Sequence, residues 1–157
     1  MNEAGPPLVA SSERSGTGLD YLQRILSGEY AQLPIGITLG FRIAAAVRGS
    51  VTVRGTPNAA GYNLLNSMHG GWTAAILDTA MALSNLTLLD VDQSFTTLDI
   101  RINYIRPITL ETGEVTAVGS VINAGRRVAY TEARLTDAAG KLLAHGTGSL
   151  LMLPRNP

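Results

Sequence analysis

The sequence predicts an α+β domain in which one long helix packs against a largely antiparallel sheet. Two observations lead to this prediction. An apolar segment over about 70–88 is long enough for a helix of about five turns. Strand-like segments precede and follow it, and short turns containing glycine, asparagine or aspartate separate the later ones. A single apolar helix between strands needs a sheet to wrap it, and strands joined by short turns run antiparallel.

The segments before the long helix predict one short helix and two strands. The segment 19–26 has apolar residues at helical spacing and is expected to end near Gly28. In the segment 39–47 the odd-numbered residues are apolar, which predicts a strand with one buried face. A turn leads into a second strand over 51–56, and 57–69 is expected to be a loop.

Four predicted strands follow the long helix. The first covers 95–105 and ends before Pro107. Its even-numbered residues from 98 to 104 are apolar and are expected to share one face, with Thr97 on the other. The remaining three strands are separated by hairpin turns and cover 114–122, 127–136 and 141–153.

The composition is that of a globular domain of ordinary size. The chain has 157 residues, 45% of them hydrophobic and 15% charged, which is enough for a hydrophobic core. Twelve basic residues balance twelve acidic ones, so the charge gives no sign of nucleic acid binding. The absence of cysteine excludes disulfides, thiolate catalysis and cysteine metal sites. No histidine spacing indicates a metal ligand set, so no metal is expected.

Residues 1–17 are predicted to be a flexible tail, followed by a single domain over 18–157. The tail lacks the apolar centre of a signal peptide. The longest apolar run, 72–89, is interrupted by Asp78, Ser84 and Asn85, which makes it a poor membrane span. We therefore expect a cytoplasmic protein with no membrane partner.

Asp78, in the middle of the long helix, is the first candidate functional residue. The residues three and four positions away on a helix are three alanines and a methionine, so no neighbouring cation explains its charge. Desolvation on an apolar surface raises the pKa of a carboxyl group and makes its carboxylate a better base. Alternatively, Asp78 lies on a solvated stripe or bonds a hydroxyl group such as that of Thr79 or Ser84.

Two glycines open the predicted helix in the sequence His69-Gly70-Gly71. The amides of a first helical turn lack intrahelical partners and lie at the positive end of the helix dipole, so they stabilise an anion. Glycine also lets a ligand approach the backbone. A tight turn into the helix explains the same residues without a function, and the sequence does not separate the two interpretations.

Gly70 and Asp78 lie too far apart on one helix to act on the same bond. Eight residues of helix span roughly 12 Å. If both act on one substrate carbon, Asp78 must come from a second subunit whose helix runs antiparallel alongside. A two-fold dimer contains two such sites.

The stretch YNLLNSMHGGWTAAILDTAMA, followed by FTTLDIRINYIRP, resembles the hotdog-fold acyl-CoA thioesterases of the phenylacetate-degradation, or PaaI-like, branch. The shared pattern places an asparagine six residues before His-Gly-Gly and an acid nine residues after the histidine, here Asn63, His69 and Asp78. The resemblance covers roughly 33–153. It implies a hotdog fold, in which an antiparallel β-sheet wraps a long central helix. It also implies a homodimer joined through the edge strand that follows the helix, often assembled into a tetramer.

The resemblance implies hydrolysis of acyl-CoA to a carboxylic acid and free coenzyme A, with no separate cofactor. Gly70 would donate its amide to the thioester oxygen. Asp78 of the partner subunit would act as a general base on water or as a nucleophile forming an anhydride. Asn63 would hold the water or the thioester, and His69 would support the loop. Thr97 matches a hydroxyl near the water, although an ordinary strand threonine explains it as well.

Three residues near His-Gly-Gly are candidates for substrate contact. Gly71 belongs to the same turn. Trp72 is a pocket wall or dimer contact, or else a core residue. Asn66 stands where the family usually has a glycine. Because asparagine tolerates left-handed backbone angles, the loop either survives the change or has a reshaped pocket mouth.

Three arginines are candidates for binding the phosphates of coenzyme A, namely Arg106, Arg126 and Arg127. A solvated turn is the alternative interpretation, and His145 is expected to be structural. A hotdog protein that binds acyl-CoA without hydrolysing it, as a sensor or carrier, is the alternative function. The acyl group itself is left open by the sequence.

Overall fold

A long helix lies across one face of an antiparallel sheet, as the computed structural model of residues 6–155 describes. The sheet order is β1-β2-β4-β5-β6-β3, and every neighbouring pair is antiparallel. The predicted α+β fold, with a central helix wrapped by an antiparallel sheet, is confirmed. In chain order the elements are α1 (Gly18–Leu26), α2 (Pro34–Leu39), β1 (Phe41–Val47), β2 (Ser50–Gly55), α3 (Gly70–Leu86), β3 (Gln93–Tyr104), β4 (Val115–Ala124), β5 (Val128–Thr136) and β6 (Leu142–Pro154).

The main core lies between α3 and the concave face of the sheet. Ile76, Leu77 and Ala80 of α3 are fully buried there. The helix approaches β4 so closely that a Cβ on Gly119 would lie 2.1 Å from the carbonyl oxygen of Ala80. Helix and sheet therefore pack backbone to backbone at this point.

The sequence analysis missed the short helix α2. Pro34 occupies its first turn, and Gly40 ends it with a left-handed φ of 76°. Leu39 therefore closes a helix instead of opening the predicted strand. Six residues are too few to produce a helical periodicity that can be told from a strand pattern.

The predicted alternation of β1 is wrong in its second half. A β-bulge between Ile43 and Ala45 shifts the register against β2. As a result Ala46 is buried, while Ala45 and Val47 are exposed. An alternation pattern in the sequence cannot show where a strand inserts an extra residue.

Residues 6–17 pack onto the domain, in contrast to the flexible tail predicted for 1–17, whose first five residues lie outside the described part of the chain. Of this segment the structure describes residues 6–17. Arg14 is buried, and its guanidinium donates hydrogen bonds of 2.7 and 2.6 Å to the carbonyl oxygens of Asp90 and Gln93. These acceptors are 76 and 79 residues away in the chain, so no local pattern could indicate the contact. Among the described residues, no helix is long and apolar enough to cross a membrane.

Candidate active site

In the first turn of α3, the backbone amide of Gly70 has no partner among the described residues. The Nδ1 atom of His69 caps the helix by accepting a hydrogen bond of 2.9 Å from the N–H of Gly71. The N–H of Trp72 donates to the carbonyl oxygen of His69. No acceptor within residues 6–155 receives a hydrogen bond from the N–H of Gly70. His69 therefore makes the two glycine amides different, because it bonds the N–H of Gly71 and leaves the N–H of Gly70 available.

Both glycines are needed for close approach rather than for an unusual backbone angle. Neither has a positive φ. A Cβ on Gly70 would lie 3.2 Å from the hydroxyl of Tyr104, which donates to the Gly70 carbonyl oxygen at 3.0 Å. A Cβ on Gly71 would lie 3.0 Å from Nδ1 of His69. Glycine at these positions lets protein side chains pack against the helix start.

Asn63 organises the loop before the helix. Its Oδ1 accepts a hydrogen bond of 2.8 Å from the N–H of Leu65, and its Nδ2 donates to the hydroxyl of Ser67. Asn66 has a φ of 56°, a left-handed backbone conformation that asparagine tolerates, at the position where the family usually has a glycine. The structure places Asn63 at the site, where its observed hydrogen bonds shape the loop.

A cavity of about 550 Å³ opens beside the unpaired Gly70 amide. It lies between this loop, the start of α3 and the segment that follows β3. The predicted site residues that line it are Asn63, His69, Gly70, Gly71 and Arg106. Tyr104 lines it as well, a residue that the sequence analysis placed on a strand face without assigning it to the site.

Asp78 lies half-buried in the third turn of α3, and its hydroxyl partner comes from the sheet. The Thr97 hydroxyl donates to Oδ1 of Asp78 at 3.2 Å, whereas Ser84 bonds the carbonyl oxygen of Met81. No lysine, arginine or histidine nitrogen among the described residues lies within 4.0 Å of the carboxylate. Burial raises the pKa of Asp78, and the hydrogen bond from Thr97 opposes this effect. The carboxylate is a desolvated base without a counter-ion.

A bulge in β3 turns Thr97 toward the helix. The register against β6 shifts between Thr97 and Asp99. Thr97 and Tyr104 both bond α3, although they are seven residues apart and would face opposite sides of a regular strand. The extra residue, Leu98, accounts for this. The prediction that Thr97 and the even-numbered apolar residues lie on opposite faces is therefore wrong.

Trp72 lies in the core rather than at the cavity. It is buried, and its indole N–H donates to the carbonyl oxygen of Leu39 at 2.7 Å. Of the interpretations given for Trp72, the structure therefore agrees with the core residue. This corrects its assignment to substrate binding. His145 contacts Glu132 at 3.3 Å, away from the helix start. No group of three or more histidine, aspartate or glutamate residues that could hold a metal occurs within 6–155.

The three arginines do not lie together in one chain. The N–H of Arg106 bonds Leu143 near the start of β6, whereas the carbonyl oxygen of Arg127 bonds Met152 near its end. Nine strand residues separate these two points, which corresponds to roughly 30 Å. Arg106 lies beside the Gly70 cavity, and Arg126 and Arg127 lie exposed at the opposite end of the sheet. Phosphate binding by any of them stays a prediction.

The sequence profile described as "Thioesterase superfamily" matches residues 65–144, slightly more than half of the chain. The match includes the first turn of α3, Asp78 and Thr97. Among curated proteins, no sequence matches this chain.

Solved structures with the same fold include proteins of phenylacetic acid degradation. A conserved protein from Pseudomonas aeruginosa is 31% identical, with a TM-score of 0.72, and the match covers 77% of this chain and 94% of that one. A mutant form of the phenylacetic acid degradation protein PaaI from Thermus thermophilus is 29% identical, with a TM-score of 0.69 and coverage of 76% and 98%. A phenylacetic acid degradation-related protein from Ralstonia eutropha is 28% identical, with a TM-score of 0.74 and coverage of 83% and 98%.

Proposed function

This chain belongs to the thioesterase superfamily and is a thioester hydrolase, and we propose that its substrates are acyl-CoA thioesters. Hydrolysis yields a carboxylic acid and free coenzyme A. The observation that carries the proposal is the pairing of an unoccupied helix-start amide at Gly70 with a desolvated, cation-free carboxylate at Asp78. An acyl transfer reaction needs both an oxyanion donor and a base.

The proposed reaction begins at the N–H of Gly70. The thioester carbonyl oxygen accepts a hydrogen bond from this amide, where the helix dipole adds positive potential. The negative charge on the oxygen grows as water attacks, so the donor stabilises the transition state more than the substrate. One donor of this kind contributes about 10²–10³-fold in rate.

Asp78 supplies the base in the proposed reaction. Its carboxylate takes a proton from the attacking water, and the tetrahedral intermediate then expels the coenzyme A thiolate, which is protonated to the thiol. In the nucleophilic variant the carboxylate attacks the carbonyl carbon itself, and water hydrolyses the resulting anhydride. Thr97 fixes one carboxylate oxygen and leaves the other open to the water or the thioester.

The proposed assembly is a homodimer in which the β3 edges of two chains pair and the two α3 helices run antiparallel. This arrangement brings the Asp78 of the partner subunit beside Gly70, which a single chain cannot do because the two residues share one helix. A dimer of dimers is the proposed tetramer, and the cytoplasm is the proposed compartment.

The test measures thiol release from a panel of acyl-CoA thioesters. We expect the Asp78→Asn variant to lose about 10²–10⁴-fold in kcat/KM, the contribution of a general base. Asp92→Asn is the matched control, since Asp92 is exposed and lies outside the described cavities, and it should retain wild-type rates.

Two outcomes would contradict the proposal. Equal rates for wild type and Asp78→Asn would remove this residue from the mechanism. Tight binding of acyl-CoA without thiol release from the wild type would favour the non-catalytic sensor or carrier.

A further inference from the structure

A second, largely apolar cavity of about 470 Å³ lies at the other end of α3. Leu83 and Leu86 of the helix form its floor, and Phe95 of β3 and Tyr21 of α1 form its walls. The N-terminal segment 8–13 forms its roof. Its volume and its apolar lining are typical of pockets that bury a small molecule.

Two hydrogen-bonded anchors fix this roof. The buried Arg14 guanidinium ties the segment to the carbonyl oxygens of Asp90 and Gln93, just before and at the start of β3. The Tyr21 hydroxyl donates to the carbonyl oxygen of Val9 at 2.7 Å. The segment is therefore a fixed wall, built from residues outside the 65–144 region that matches the superfamily.

The cavity and the proposed base are linked through β3. Leu83 lies five residues beyond Asp78 on α3, roughly 7.5 Å along the axis and about 140° around it, so the helix alone does not bring them together. Phe95 packs against the core on the same side of β3 as Thr97, two residues away. Phe95 thus places one wall of the apolar pocket two strand residues from Thr97, the hydrogen-bond partner of Asp78.

We infer that this cavity binds the acyl group of the substrate, and that the N-terminal segment 8–13 sets the acyl chain length that the enzyme accepts. The inference rests on the proposed acyl-CoA hydrolysis and adds its substrate class, thioesters of apolar acyl groups longer than acetyl. The coenzyme A portion then lies on the other side of the thioester, in the cavity beside Gly70 of the partner subunit.

The test compares kcat/KM for straight-chain acyl-CoA thioesters from acetyl to dodecanoyl. For the wild type, each buried methylene should raise kcat/KM about fourfold until the cavity is full. The Ala10→Phe variant fills part of the cavity from the roof, where Ala10 has extended backbone angles that accept phenylalanine. We expect at least about a tenfold loss for the longest efficient substrate and a change of less than about twofold for acetyl-CoA.

Two further variants test whether the dependence of kcat/KM on acyl chain length is set by the N-terminal segment. Ala45→Phe is the matched control, because Ala45 is an exposed alanine on β1 away from the cavity, and its profile should match wild type. Arg14→Met releases the roof from β3 and should flatten the dependence on chain length while acetyl-CoA hydrolysis persists.

The outcomes separate the inference from the proposed function. No thiol release from any acyl-CoA by the wild type would overturn both. Hydrolysis with a chain-length profile that neither Ala10→Phe nor Arg14→Met alters would overturn the acyl pocket alone.

Discussion

The two edges of the sheet are finished in different ways. At the β1 edge, the side chain of Gln32 accepts from the N–H of Ile43 at 2.9 Å and donates to its carbonyl oxygen at 3.3 Å. The side chain of Gln23 donates to the carbonyl oxygen of Ala46. These glutamines satisfy backbone groups that would otherwise be free to pair with another strand.

The β3 edge has no such protection. Within residues 6–155, no side chain bonds a backbone group of 94–104. Leu98, Ile100 and Tyr104 are exposed along this edge. A long, apolar and unpaired edge strand is a template for a second strand. The chain thus protects one edge of its sheet with its own side chains and leaves open the edge that the proposed active site needs.

The largest expected effect comes from a charge placed on the open edge. Leu98 and Val47 are matched apolar residues on β3 and β1, 53% and 63% exposed. In Leu98→Glu, the dimer would bury an unpaired carboxylate from each chain, which is costly. We expect sedimentation as a monomer and a loss of kcat/KM of more than about 10³-fold, because the oxyanion donor and the base no longer act on the same substrate.

Val47→Glu should change neither the assembly nor the rate. A monomeric Leu98→Glu protein with wild-type activity would refute the shared site, and so would undiminished activity of the wild type diluted to a monomer.

A smaller effect should follow from removing the N–H of Gly70. This amide belongs to the active site that pairing of the open β3 edge would complete. Gly70 is the first residue of α3, a position that accepts proline because its N–H has no helical partner. Gly70→Pro deletes the proposed oxyanion donor, and we expect kcat/KM to fall about 10²–10³-fold. Gly70→Ala keeps the N–H and only presses on Tyr104, so steady-state assays should show a much smaller loss. Equal losses for the two variants would point to steric disruption instead of a missing donor.

The smallest effect is expected from a change of Thr97, the β3 residue that bonds Asp78. The carboxylate of Asp78 is the active form, so activity should fall as the pH drops through its pKa. Burial raises that pKa, so the acid limb should lie above the range of an ordinary aspartate. The Thr97 hydroxyl lowers the pKa of Asp78, so Thr97→Val should move the acid limb to higher pH.

At its optimum pH the rate of Thr97→Val should fall about tenfold, the effect of one hydrogen bond to a charged group. Thr96→Val, a change at the exposed neighbour, should leave the pH profile in place. If the acid limb of the pH profile stays fixed in Thr97→Val, that limb does not report the titration of Asp78.

Local pattern was sufficient for most of the fold. The length and apolar character of α3, the β-strands after it and their turns depend on residues close together in the chain, so spacing and turn chemistry indicate them. The position of Asp78 without a cation within a helical turn is also a local property, and the structure adds no cation from elsewhere within residues 6–155. The sequence shows that asparagine at position 66 tolerates a left-handed backbone, and the structure shows that it adopts one.

The sequence by itself therefore determined the central helix, the antiparallel strands and an acid placed where no neighbour neutralises it. Tertiary structure alone decided that His69 occupies the Gly71 amide and leaves that of Gly70 free, and that a bulge at Leu98 turns Thr97 toward Asp78. It also decided that Arg14 fixes the N-terminal segment as the wall of a cavity. The reason is physical: helical and strand periodicities are set by neighbours in the chain, whereas caps, bulges and buried charges are settled by partners that only folding brings together.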